Sequence, residues 1–192
     1  MPPIVLASSS PYRRELLNRL GLPFSCRSPD IDESRLPDEP VLALALRLAE
    51  AKARALAASH PHHLIIGSDQ VAVLDERILG KPGSHAAATE QLLACSGQAV
   101  RFLTGLALLD SRSGECQVDC VAFTVHLRAL DAATVERYLR AEQPYDCAGS
   151  FKAEGLGVSL FSRTEGEDLT SLVGLPLIRL VGMLAQHGIQ VP

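Results

Sequence analysis

The chain has 192 residues, 47% hydrophobic and 21% charged, with a net charge of −4. That length suits one domain, or two small lobes sharing a core, and needs neither disulfide nor structural metal to fold. The mildly negative balance excludes a broad basic surface for nucleic acid, though not a small cationic pocket for a charged metabolite. In chain order, "PIVLASS" reads as a short buried strand, and Pro11 fits the first turn of a helix with apolar Leu16, Leu17 and Leu20, ended by Gly21. "FSCRSPDIDES" reads as a second strand running into an acidic turn. From Glu39 to about Ser59 the Ala/Leu-rich sequence holds no internal Gly or Pro and predicts a long helix.

"HLIIGSDQVAVLD" predicts a strand interrupted at Gly-Ser-Asp, and "ILGKPGS" a loop full of breakers, after which Ser84 caps a helix reaching about Cys95. "QAVRFLTGLALLD" and "CQVDCVAFTVHLRAL", joined by "SRSGE", predict a long-armed hairpin, and Asp131 caps a further helix. A Gly-dotted segment, "CAGSFKAEGLGVSLF", leads to a last helix over "LPLIRLVGMLAQHG". Strands alternating with helices give the α/β class with a mixed twisted sheet and flanking helices, one domain over residues 1–192. Five cysteines without a CxxC pair speak for reduced thiols. "MPPIVLASSS" has no positive n-region or long apolar core, and no apolar run approaches the roughly 20 residues of a membrane span. A cytoplasmic protein with no membrane and no nucleic-acid partner is expected.

Four segments set charge beside breakers at predicted strand ends, where α/β proteins build ligand sites: "SSSPYRR", "DIDES", "GSDQ" and "GKP". Small hydroxyls and cations at a helix start suit a phosphate, although an ordinary capped helix reads the same way. Asp69 stands between the apolar runs "LIIG" and "VAVL". A carboxylate there must be paired, bind a metal, or turn back on its own backbone. Glu33 sits in an acidic turn with Asp30 and Asp32, either solvated or offering oxygen ligands to a divalent cation. Lys52 is one of several cations on the long helix, Lys81 a single loop lysine, and the histidines lack any zinc spacing. The residues by themselves lead to an α/β protein with a phosphate and metal site.

Taken in order, "LASSSPYRRELL", "DIDES", "LAEAKA", "IIGSDQV", "GKP", "DCAGSFKAEG" and "LVGLPL" resemble the signature of the Maf family over about residues 4–180. The resemblance implies a fold like that of the inosine triphosphate pyrophosphatases, with two lobes around a nucleotide cleft, usually in a homodimer. It implies hydrolysis of a nucleoside triphosphate to the monophosphate and pyrophosphate with Mg²⁺ or Mn²⁺. Ser8, Ser10 and Arg13 match the family's phosphate-binding opening. Glu33, Lys52, Asp69 and Lys81 match its acidic and basic catalytic positions, with Asp69 as proton acceptor and Glu33 and Asp69 as metal ligands.

The chain departs from the commonest family form at Tyr12, Gln70 and Glu154, which match the base-selecting positions. These three resemble the subgroup acting on 7-methyl-GTP rather than on dTTP and UTP. N7-methylguanine is cationic, which suits the aromatic face of Tyr12 and the negative charge of Glu154. Competing expectations are a dTTP/UTP pyrophosphatase of the same family, a nucleotide-binding regulator of cell division without turnover, and a phosphatase or nucleotidyltransferase.

Overall fold

A computed structural model describes all 192 residues. Its sheet is built on runs too apolar to leave a face in water. β1 (Ile4–Ala7) is buried at all four positions, as a parallel strand covered on both sides must be. β2 (Phe24–Arg27) and β3 (Leu64–Leu74) pair parallel to it, with Ile4 opposite Phe24 on one side and Leu64 on the other. β4 (Arg77–Leu79) returns antiparallel on β3. β5 (Ala99–Asp110) and β6 (Cys116–Leu127) form the expected hairpin, and β7 (Phe161–Glu165) lies antiparallel on β6. The strand order is β2-β1-β3-β5-β6-β7, so the sheet is mixed, as the sequence predicts.

Six α-helices, α1 (Pro11–Asn18), α2 (Val41–Ala55), α3 (His85–Ala94), α4 (Ala132–Glu142), α5 (Leu169–Val173) and α6 (Leu177–Gln186), and two short 3-10 helices, Ala148–Ser150 and Leu156–Leu160, complete the chain. Ser84 and Asp131 cap α3 and α4 as expected, each accepting from the backbone N–H three residues on. No helix is long and apolar enough to cross a membrane.

The chain falls into two compact units, and β3, β5 and β6 contribute residues to both. The first holds residues 1–70, 104–121 and 168–192. Period-two alternation sorts its strands between two apolar layers. Ile4, Leu6, Leu64 and Ile66 pack with Leu16 and Leu17 of α1 and Leu180 and Leu184 of α6. Val5, Ala7 and Ile65 face Ala49 and Ala53 of α2. The second unit holds residues 71–103 and 122–167. Its core includes edge-to-face contacts of Phe151 with Phe102 and Phe161, at centroid distances of 5.5 and 5.1 Å.

Four expectations need correction. The segment "ILGKPGS" is not all loop, because Ile78 and Leu79 pair with Val73 and Ala72 in β4. Gly67, Ser68 and Asp69 do not interrupt β3 but lie inside it. Gly67 is there because α2 presses on the strand, and Ser68 because its hydroxyl finds buried carbonyls. The long helix is shorter than predicted, since Pro40 is its N-cap and Leu56 its C-cap. Between the Gly-dotted segment and the last helix stand β7 and α5; four of the five β7 residues are exposed, so no apolar alternation announced that strand.

Candidate active site

The buried stripe of α2 runs through Ala45, Leu48, Ala49, Lys52 and Ala53, the three- and four-residue steps of a helix face. Lys52 therefore points inward rather than along a polar face and is only 6% exposed. On β3, Ile65, Gly67 and Asp69 share the side that faces this helix. The Nζ of Lys52 donates to Oδ1 of Asp69 at 2.6 Å and lies 2.9 Å from Oε1 of Glu33. Asp69 is 8% exposed, so the carboxylate flagged between two apolar runs is buried and paired. Glu33 comes from the acidic segment after β2, and more than half of its side chain is open to solvent.

The opposite side of β3 carries Ser68 and Gln70 toward the C-terminal part of the first unit. Ser68 shares its hydroxyl proton between the carbonyls of Gly105 at 2.8 Å and Gly174 at 2.9 Å. The same Gly174 carbonyl accepts from Nε of Arg13 at 2.8 Å. Burial lowers the pKa of this guanidinium, and the negative charges of Asp69 and Glu33 oppose the shift. Ser10 caps α1 by accepting from Arg13 N, and Ser8 Oγ accepts from Ser10 N at 3.1 Å. Each hydroxyl thus keeps its O–H, a suitable donor to a phosphate oxygen.

Ser8, Ser10, Arg13, Glu33, Lys52 and Asp69 all belong to the first unit, as do Tyr12 and Gln70. Lys81 and Glu154 belong to the second, and both are exposed there. Tyr12 is half-buried on α1. Gln70, matched to base selection in the sequence, uses its amide nitrogen on Thr104 Oγ1, Ser171 O and Leu172 O, at 3.1, 2.8 and 3.0 Å. It anchors α5 with that nitrogen and leaves only its amide oxygen for other partners. Ser68, Thr104 and Gly174 were missed by the sequence reading, because their partners lie far along the chain.

No group of three His, Cys, Asp or Glu converges to hold a metal ion. Glu33 and Asp69 nevertheless meet at one ammonium and offer hard carboxylate oxygens. One or two carboxylates, with water and substrate phosphates completing the shell, is the usual donor set for Mg²⁺. The residues present fit such an ion.

Residues 3–187 match the family Maf, described as Maf-like protein. The chain is 72% identical to a 7-methyl-GTP pyrophosphatase of Pseudomonas fluorescens (strain Pf0-1) over 192 residues, 100% of both chains. It is 64% identical to the protein of that name in Pseudomonas aeruginosa, again over 100% of both. Against that of Alkalilimnicola ehrlichii the identity is 57% over 187 residues, 97% of this chain and 94% of the other. Among solved structures, a HAM1 protein from Coxiella burnetii superposes with a TM-score of 0.54 at 15% identity, covering 97% of this chain and 100% of that one. That likeness is one of fold.

Proposed function

This chain belongs to the Maf family, and on that premise we propose that it hydrolyses 7-methyl-GTP to the nucleoside monophosphate and pyrophosphate. The observation that carries the reading is the full-length identity of 64–72% to relatives named for that activity. The buried Lys52 between Asp69 and Glu33 supplies chemistry suited to it.

Water attacks the α-phosphorus, the bond from that phosphorus to the oxygen bridging to the β-phosphate breaks, and pyrophosphate leaves. Asp69 gives one carboxylate oxygen to Lys52. Its other oxygen is the one able to take the proton of the attacking water. The Lys52 ammonium fixes the direction of the Asp69 carboxylate. Arg13, set by the Gly174 carbonyl, and the hydroxyls of Ser8 and Ser10 bind phosphate oxygens in fixed directions. Lys81 is a further phosphate-binding cation in this proposal. A divalent cation, Mg²⁺ or Mn²⁺, held by Glu33 and Asp69 would neutralise phosphate charge and acidify water.

Base selection is assigned to Tyr12, through its aromatic face, and to Glu154, as an acceptor for the N1–H and amino group of the base. Gln70 acts on selection through α5, to which its amide nitrogen is tied. The proposal includes a homodimer in the cytoplasm, with no membrane or nucleic-acid partner; sedimentation equilibrium tests the stoichiometry.

The experiment is turnover of 7-methyl-GTP, GTP, dTTP and UTP with Mg²⁺ or Mn²⁺, resolving pyrophosphate from orthophosphate, beside Asp69→Asn. Pyrophosphate is expected fastest from 7-methyl-GTP, with kcat lowered about 10²–10⁴-fold in the variant. Faster release from dTTP or UTP overturns the base assignment. Orthophosphate as the first product makes the protein a phosphatase, and binding without turnover makes it a nucleotide-binding regulator.

A further inference from the structure

The segment that delivers Glu33, residues 28–40, forms no helix or strand. Within residues 32–40 the one buried side chain is Glu39, 8% exposed. Its carboxylate takes a two-pronged grip from Arg47 on α2: Nε to Oε1 at 2.6 Å and Nη2 to Oε2 at 2.8 Å. The backbone N–H of Leu36 donates to the same carboxylate at 3.1 Å, and Arg35 closes on the Glu39 carbonyl at 2.8 and 2.6 Å. Arg47 Nη2 has a second acceptor, the carbonyl of Ser34 at 3.0 Å. The N–H of Ser34 in turn donates to Asp32 Oδ1 at 2.9 Å. The residue following Glu33 is therefore held at both its N–H and its C=O.

This matters because Glu33 cannot hold itself in place. Its ion pair with Lys52 involves a side chain 58% exposed, and such pairs contribute little in water. The planar fork of Arg47 is suited to fixing a loop in a way one point charge is not. Arg47 and Lys52 stand on one rigid helix, so α2 carries both the ammonium and the grip on the segment that brings the carboxylate to it.

We propose that Arg47 and Glu39 are positioning residues for the hydrolysis, clamping the loop from Asp32 to Glu39 onto α2 so that Glu33 stays at Lys52. The proposal rests on the reading of Glu33 as part of the hydrolytic site. The competing role is a local one, seating the start of α2, whose N-cap Pro40 makes no side-chain cap bond.

The test measures kcat and KM for pyrophosphate release from 7-methyl-GTP in the wild type, Arg47→Gln, Glu33→Gln and the double variant, each below its melting temperature. Amide exchange of residues 28–36 and of α2 is followed in protein without nucleotide or added metal. Glu39→Gln, which keeps the side-chain shape, repeats the comparison if Arg47→Gln folds poorly. Arg47→Gln is expected to lower kcat about 10–100-fold with KM little changed, since a displaced catalytic group loses rate rather than binding. In the Glu33→Gln background the same substitution should cost about twofold or less, because the group it positions is already gone. Exchange of residues 28–36 should quicken about tenfold while α2 keeps its rates.

Equal losses in both backgrounds, unchanged loop exchange, or loosening of the first turns of α2 together with the loop would each overturn the clamp. Full activity of Glu33→Gln alone would instead remove the reading of Glu33 on which the clamp depends, an outcome that loop exchange in Arg47→Gln keeps separate from the existence of the clamp itself.

Discussion

Replacing Gly67 by alanine tests whether the depth of α2 on the sheet places Lys52. A Cβ at Gly67 would stand 2.1 Å from the carbonyl oxygen of Ala49 and 2.9 Å from the nitrogen of Ala53, both helix backbone. Real Cβ contacts stay above 3.0 Å, so helix and strand must part by at least 3.0 − 2.1 = 0.9 Å. Lys52 lies between the two obstructing residues and moves with them. Added to its present 2.6 Å, that displacement puts Nζ near 3.5 Å from Asp69 on the strand, while Glu33, on the segment gripped by α2, moves with the helix. The lysine stem can follow one carboxylate but must give up the other. Overpacking of this kind costs about 1–3 kcal/mol of stability, and misplacement by roughly 1 Å costs up to about 10²-fold in kcat. Urea unfolding and pyrophosphate-release kinetics measure the two effects, with Gly182→Ala, which meets nothing within 4 Å, as control. If Gly67→Ala kept both stability and kcat at the level of that control, the helix–strand approach would not be what places the lysine.

Ser68→Ala removes a fully buried donor from the carbonyls of Gly105 and Gly174 and is expected to cost about 1–3 kcal/mol by chemical denaturation. Gln70→Met, which removes one donor from the Ser171 carbonyl and one from that of Leu172, should raise amide exchange in residues 169–173 and lower turnover of 7-methyl-GTP and GTP by similar factors; a loss confined to one of them would mean that the side chain reads the base directly. Hydrogen bonding from Arg47 holds the Glu39 carboxyl at about 2, below its ordinary 4.5. Its contribution to stability is therefore complete above about pH 4.5 and is lost as pH falls from there toward 2. Melting curves between pH 6 and pH 2.5 should show Glu39→Gln falling less steeply than the wild type on the acid side, and parallel curves would refute the assignment.

Local signals carried much of the fold. Ser84 and Asp131 announced their helices by cap chemistry, and the two long apolar arms around "SRSGE" announced the hairpin. β7 was silent because four of its five residues are exposed, and α5 because five residues are too few to show a period. At the site, Asp69 stood out through its apolar flanks alone. Lys52 did not, since a lysine on an Ala/Leu helix reads as a solvated charge until Gly67 and Gly105 show how closely that helix lies on the strands. Glu39 and Arg47 were illegible for another reason. A glutamate in an acidic, Pro-flanked loop and an arginine on a helix become a pair only when the loop folds back.

The carbonyl of Gly174 accepts from Ser68, 106 residues upstream, and from Arg13, 161 residues upstream, whereas Lys52 and Asp69 are 17 apart. These separations order events during synthesis. At about 5–20 residues per second, Arg13 precedes its acceptor by on the order of 10–30 s. Over that interval the lysine and aspartate are already close along the chain, while the arginine has no carbonyl on which to close. The Lys52–Asp69 contact thus closes a short stretch of chain, whereas the contacts at Gly174 need nearly all of it.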